Sequence, residues 1–248
     1  MNSKAGTKLF PFILFIFAWG VNFSQDNIIS EGKIVFERRT NLEKRYKDAR
    51  MKRMITEENK IKMESFSFFF NDTISVFKPI LSDVQDPMGW MTSKNSYSQQ
   101  LSQNNQLIVF NLFGQNTYIK DSLPQRNWKI TENKRTICGY ECRKAIYQKN
   151  DSTRIYAWYS PEIVPSVGPE GFCGLPGAIL GVATEDGGII YFAKTVEAVK
   201  PKKDDLVLDS GKSKTFTLKE LKKEIETKMS NSSWGKGMNF FDDLFRWL

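Results

Sequence analysis

Glu64-Ser65-Phe66-Ser67-Phe68-Phe69-Phe70 and Thr73-Ile74-Ser75-Val76-Phe77-Lys78-Pro79, joined by Asn71-Asp72, decide the fold. Aromatic and β-branched residues recur here with a period of two, the spacing of a strand whose side chains alternate between faces. Asn71-Asp72 is a turn signal, so the second run folds back on the first as a hairpin. The same pattern continues on both sides. Upstream, residues 32–40 read as a first strand with Ile34 and Phe36 on one face. Downstream, residues 107–113 and 117–121 pair around Gly114-Gln115-Asn116, and residues 128–131, 134–137, 143–147 and 153–159 are four more strands. Residues 179–184 and 189–199 flank Asp186-Gly187-Gly188 as a final hairpin. Short strands at this spacing imply a mainly β (α+β) fold: a curved antiparallel sheet, a sandwich or a partial barrel.

The helical expectations lie early and late. Asn41 is an N-cap candidate before the charge-rich residues 42–62, where Leu42, Tyr46, Ala49 and Met54 fall near helical spacing. Residues 81–105 are polar and include Pro87-Met88-Gly89-Trp90-Met91, which reads as a loop or lid. Beyond Lys200-Pro201-Lys202-Lys203, Thr217 and Glu220 form a capping box, with Phe216 and Leu221 placed as a hydrophobic staple. Leu218, Leu221, Ile225 and Met229 then make one apolar stripe, so a helix over 217–229 is expected. After the Ser/Gly-containing link 230–237, Phe241, Leu244, Phe245 and Leu248 share one helical face. That face suits either a partner groove or the chain's own core.

Residues 1–24 read as a secretory signal. Lys4 and Lys8 precede an apolar run, Leu9 to Val21, that is short for a membrane span. The expected organisation is therefore a signal at 1–24, a β domain at 25–200 and a helical appendage at 201–248. Loss of Lys4 and Lys8 lowers the formal charge from +8 to +6. A basic exported chain suits an acidic partner or an anionic envelope surface, and nucleic acid is not expected. There is no histidine in the 248 residues. That rules out a Ser-His-Asp triad, a Cys-His pair and any His-ligated metal. Acid–base chemistry would rest on carboxylates, lysines or tyrosines, and Glu162, Glu170 and Asp186 are the carboxylate candidates near the glycine- and proline-rich stretch 158–180. No cofactor is expected.

The cysteines are Cys138, Cys142 and Cys173. An odd count permits one bridge and one spare thiol in an oxidising compartment. On one continuous strand Cys138 and Cys142 would stand about 13 Å apart, too far to bond. A tight loop at Gly139-Tyr140-Glu141 would bring them together, and Cys173 is the other candidate partner for this hairpin.

Between Trp158 and Leu180 the chain carries four prolines and four glycines, so its backbone is prescribed in detail. Leu175-Pro176-Gly177-Ala178 suits a type II turn. Trp128-Lys129-Ile130, Thr136 to Ala145, Ala157-Trp158-Tyr159-Ser160-Pro161-Glu162-Ile163, Gly168-Pro169, Phe172 and Gly174-Leu175-Pro176-Gly177-Ala178-Ile179-Leu180, in this order, resemble the GLPGLI family of secreted Bacteroidetes proteins. Ala178 departs from the family's name motif. The resemblance implies a mostly β fold and a periplasmic or outer-membrane-associated location. It also implies a non-catalytic accessory that assists outer-membrane transport or assembly. Trp158, Tyr159, Pro161, Glu162, Gly168, Pro169, Gly174, Leu175, Pro176 and Gly177 are then the expected contact residues. Cys138 and Cys173 stand where the family has no cysteine, which implies that they pair with each other. A lipid or acyl ligand in the sheet's concavity is a variant of this reading, and a carboxylate-dependent periplasmic hydrolase is the alternative.

Overall fold

The computed structural model describes residues 28–82, 86–112, 115–150 and 153–230. The expected signal segment and the terminal aromatic segment 239–248 lie outside the described residues. The strands are β1 (Gly32–Asn41), β2 (Ile61–Phe70), β3 (Ile74–Pro79), β4 (Ser96–Gln100), β5 (Asn105–Leu112), β6 (Gln115–Ser122), β7 (Trp128–Ile137), β8 (Tyr140–Asn150), β9 (Thr153–Ser160), β10 (Ala178–Thr184), β11 (Ile189–Glu197) and β12 (Thr215–Phe216). They form one sheet in the order β12-β6-β5-β4-β3-β2-β1-β11-β10-β9-β8-β7. Every pairing is antiparallel except the short β12–β6 contact. The two ends of the order do not meet, so the sheet is open and is neither a sandwich nor a closed barrel.

The sheet is curved. Phe77 on β3 and Tyr191 on β11 are three strands apart, about 14 Å in a flat sheet. Their ring centroids are nevertheless only 6.2 Å apart. Register breaks in β1, β7, β8 and β10 supply local bends. The concave face carries the core: Ile34, Phe36, Phe66, Phe68, Phe70, Phe77, Tyr97, Ile108, Phe110 and Ile119 are all buried. Phe66 and Phe77 stack at 4.8 Å, and Phe36 meets Phe68 edge-on at 5.9 Å. Each such ring contributes about 1.5–3 kcal/mol by leaving water.

The late helix α3 (Leu218–Ser230) forms as its sequence requires. Thr217 Oγ1 accepts from the Glu220 amide at 3.2 Å, and Glu220 Oε2 accepts from the Thr217 amide at 2.8 Å. Asp121 on β6 accepts from the Leu218 amide at 3.0 Å, which ties the helix start to the sheet. Leu221 and Ile225 turn inward and join the core cluster.

Three expectations are corrected. Residues 42–62 do not form one helix. Two short helices, α1 (Leu42–Arg45) and α2 (Ala49–Arg53), are divided by Tyr46, whose backbone is extended. Tyr46 donates its hydroxyl to the Met91 carbonyl at 2.6 Å, while Asp48 starts a new cap. Only Leu42 is buried in these helices, so no apolar stripe holds them as one. Residues 81–105 are not all loop, because they contain β4. Finally, the turn of the β7–β8 hairpin is Cys138-Gly139, both at positive φ (51° and 88°), and Cys142 lies on β8 opposite Arg135.

The thiols are a further correction. All three cysteines are free, and the Cys138–Cys173 bridge is absent. The Cys138 thiol donates to the Ala193 carbonyl at 3.2 Å, and the Cys173 thiol to the Pro124 carbonyl at 3.8 Å. Cys142 is buried, and burial pushes its thiol up to about 12.

Candidate binding site

The segment between β9 and β10, residues 161–177, crosses the concave face and fills it. Tyr159 on β9 opposes Ile179 on β10 and points inward, whereas Trp158 lies on the other face beside Phe192, ring centroids 5.7 Å apart. Beyond them Ile163, Val167, Phe172 and Leu175 are buried in the core cluster. The Gly171 carbonyl accepts from Gln99 Nε2 at 3.0 Å and from Arg126 Nη1 at 3.3 Å. Trp128 donates its indole N–H to the Cys173 carbonyl at 3.0 Å and packs on Phe172.

The glycines answer to this crossing. A Cβ at Gly168 would lie 2.8 Å from Ile179, and one at Gly177 would lie 2.1 Å from the Ser160 carbonyl oxygen. Gly177 is also at φ 137°, which other residues rarely adopt. The expected type II turn is instead a tighter three-residue turn about Pro176, with the Gly177 amide donating to the Leu175 carbonyl at 2.8 Å. Of the ten expected contact residues, Pro161, Gly174 and Pro176 are exposed, and Glu162 and Trp158 are half-buried. Tyr159, Gly168, Pro169, Leu175 and Gly177 are buried.

Glu170 marks the deepest point of the segment. It is 1% exposed and held at φ 52°, a strained conformation for a non-glycine residue. Its Oε1 accepts from the Tyr191 hydroxyl and lies 3.6 Å from Arg38 Nη1. Arg38 extends from β1 between the Phe66 and Tyr191 rings, 4.9 Å and 5.8 Å from their centroids. It donates through Nε to Glu64 Oε2 at 3.0 Å and through Nη1 to the Tyr191 hydroxyl at 3.1 Å. Glu64 in turn accepts from Thr92 Oγ1 at 2.7 Å and faces Lys94 at 3.8 Å.

Electrostatics follow from the burial. Desolvation raises the Glu170 carboxyl above the usual glutamate range, against the opposing pull of Arg38 and the two tyrosines. Burial likewise pushes Tyr97 and Tyr191 well above the usual phenol range. Burial opposes the charge on Arg38, but Tyr191, Glu64 and Glu170 outweigh it and the guanidinium stays charged.

The other two candidate carboxylates stand elsewhere. Glu162 accepts from the Glu141 amide at 3.3 Å, and Asp186 Oδ1 accepts from the Gly188 amide at 2.9 Å in the β10–β11 turn. Neither takes part in the Glu170 network. Among the described residues, no three Cys, Asp or Glu side chains converge as a metal cluster. An open groove of about 490 Å³ runs beside the start of the segment, lined by Ile28, Ile29, Glu31, Tyr140, Val199 and Lys200 and by no residue of 161–177. Its floor is pinned by the Ile29 amide, which donates to the Glu162 carbonyl at 2.8 Å.

Arg38, Glu64, Tyr97 and Tyr191 escape a reading for motifs. Their signal is register: Arg38 continues the inward series Ile34, Phe36, and Glu64 precedes the inward series Phe66, Phe68. Two opposite charges on adjacent strands, both on the apolar face, mark a buried pair.

A family model described as "Protein of unknown function (Porph_ging)" matches residues 148–181, the stretch from β8 through the concave-face segment into β10. No curated protein matches the sequence. Among solved structures, PNGF-II in its C2 and P21 crystal forms is similar at 15% and 14% identity. Each has a TM-score of 0.53, over 79% of this chain and 32% of that one. The chain thus spans about a third of the length of PNGF-II, and the likeness is one of fold alone. An uncharacterized conserved protein from Thermus thermophilus matches at 6% identity and a TM-score of 0.41, over 77% of this chain and 92% of that one.

Proposed function

We propose that this chain is an exported, non-catalytic binding protein of the GLPGLI kind that assists transport or assembly at the outer membrane. One observation carries the reading: Glu170, the deepest carboxylate of the motif segment, is consumed in holding that segment on the sheet. Its neighbours Arg38, Tyr191 and Tyr97 are fully buried and committed to one another. The family model of unknown function matches over 148–181, this same segment, and so marks it as the part of the chain shared with relatives. A surface open to contact is the groove beside the start of the segment, where Ile28 and Val199 are 67% and 44% exposed beside Tyr140. Apolar side chains so exposed, rimmed by Glu31 and Lys200, have the composition of a contact surface.

Retention experiments test this. Immobilised processed protein should hold a discrete outer-membrane protein from envelope extracts, and Val199→Glu should release it without changing the melting temperature. Turnover of a glycan polymer, abolished by Glu170→Gln in a folded variant, would establish the hydrolase instead.

A further inference from the structure

The outer face of the sheet carries an ordered surface that neither the core nor the groove uses. Two rows of side chains run in register across β8, β9, β10, β11 and β1. The first is Lys144, Trp158, Gly181, Phe192 and Glu37, each opposite the next. The second is Ile146, Tyr156, Ala183, Ile190 and Arg39. Tyr156, Trp158, Ile190 and Phe192 are half-buried, so part of each apolar side chain meets water. Gly181 and Ala183 keep the middle strand low. A Cβ at Gly181 would lie 2.6 Å from Phe192 Cε1, so that ring lies down across it. The result is a level apolar surface four strands, or about 14 Å, wide.

Cations stand on its rings. The Arg135 guanidinium lies 4.9 Å from the Trp158 centroid and 5.2 Å from that of Phe192, and Lys144 Nζ lies 4.0 Å from that of Tyr156. The acids nearby are already used. Glu37 faces Lys194 at 3.6 Å, and Glu185 faces Arg154 at 3.1 Å. Among the described residues no carboxylate pairs with Arg39, Arg135 or Lys144, so the face keeps three uncompensated positive charges.

Three kinds of occupant fit this face differently. A second copy would set like charges against like, which repels. An extended peptide adds to a free strand edge, and β8, β9, β10 and β11 are each paired on both sides. An anionic lipid surface needs neither an edge nor a groove. It takes aromatic rings at headgroup level and cations beside its phosphates, the order in which rings and cations are stacked here.

We propose that the outer face of β8–β11 docks on an anionic lipid surface, with Tyr156, Trp158 and Phe192 in the headgroup layer and Arg39, Arg135 and Lys144 on its phosphates. This goes beyond the retention of a protein partner, and the groove at Ile28 and Val199 takes no part in it.

Sedimentation of the full processed chain with vesicles of phosphatidylcholine, alone or mixed equally with phosphatidylglycerol, tests the face. Binding to mixed vesicles should exceed binding to phosphatidylcholine by at least about tenfold and should fall as salt is raised. Arg39→Glu with Lys144→Glu should weaken it at least about tenfold. Lys52→Glu with Arg53→Glu makes the same change of net charge on exposed positions of α2 and should weaken it far less. Urea midpoints show which variants are folded, and Arg135→Gln guards against a misfolded first pair. Hydroxyl-radical footprinting reads the face itself. Mixed vesicles should protect Tyr156, Trp158 and Phe192 while leaving Trp90 reactive, since it is exposed in the segment bonded to Glu64 on the opposite face. The proposal is overturned if mixed vesicles bind no better than phosphatidylcholine, if the two charge-reversed pairs weaken binding equally, or if the three rings stay reactive. Protection of the rings by polyglutamate and not by vesicles would assign an acidic polypeptide and overturn it too. None of these failures touches the retention of a protein partner through Val199, so the two readings fall separately.

Discussion

Two neighbouring regions of one sheet face differ in kind. Phe36, Phe66 and Phe77 make an aromatic belt, and one inward step further along β1 and β2 stand Arg38 and Glu64, with Tyr191 opposite Arg38 on β11. The belt has no direction: any ring of similar size fills it, and its contribution is area removed from water. The polar region is directional. It fixes where one carboxylate of one segment must lie, and so it sets the path of residues 161–177 across the face. The belt therefore stabilises the bowl, while the polar region specifies what fills it.

The harshest way to break both regions together is Gly177→Val. Its Cβ would enter the Ser160 carbonyl, 2.1 Å away, at a φ of 137°. This variant should show no cooperative unfolding transition in urea, since a domain has only about 5–15 kcal/mol to lose. Phe77→Ala attacks the belt alone and should cost about 3–5 kcal/mol in the same assay. Arg38→Met attacks the polar region and should also cost about 3–5 kcal/mol, because it strands the Glu64 charge. The comparison sharpens with the triple variant Arg38→Met, Glu64→Leu, Glu170→Leu, which should recover most of that loss. An apolar replacement can stabilise the face but cannot specify the segment, so amide exchange in 161–177 should rise even as overall stability returns.

The smallest effect is in pH. The folded state raises the Glu170 carboxyl above its usual value, so folded protein holds this proton more tightly than unfolded protein does. Its contribution is complete below the ordinary glutamate value and is lost as pH rises through the elevated folded value. Exposed Asp86 behaves in the opposite sense, because its hydrogen bond with Lys62 lowers its carboxyl and its contribution disappears as pH falls. Glu170→Gln should flatten the fall in stability on the alkaline side of the glutamate range and leave the acid limb unchanged. Urea midpoints measured from pH 4 upward check both limbs.

Much of this fold is legible from residues alone. The β2–β3 and β10–β11 hairpins stand where alternation and turn residues put them, and the Thr217–Glu220 box starts α3. Strand β4 is hidden because Ser96-Tyr97-Ser98-Gln99-Gln100 has one aromatic and no aliphatic residue. Its amides are used instead: Gln99 turns inward to hold the Gly171 carbonyl, a contact no local pattern announces. A single helix over 42–62 fails because spacing without burial does not make a helix. The motif segment is conspicuous, but its direction is not. Prolines and glycines prescribe a backbone equally well for a surface contact and for a crossing beneath a sheet. Only the inward register of Arg38 and Tyr191, far off in sequence, draws Glu170 inside.

Amide hydrogen exchange of Phe172, Gly174 and Ile179 in the native protein tests most directly whether the motif segment belongs to the core. Their N–H groups donate to Pro169, Ser166 and Val167 respectively. All three should be protected to the level of β9 and β10, with Tyr191→Phe lowering the protection of Phe172 and Gly174 first. Exchange of Phe172 and Gly174 at open-loop rates, with the strands around them still protected, would contradict the account.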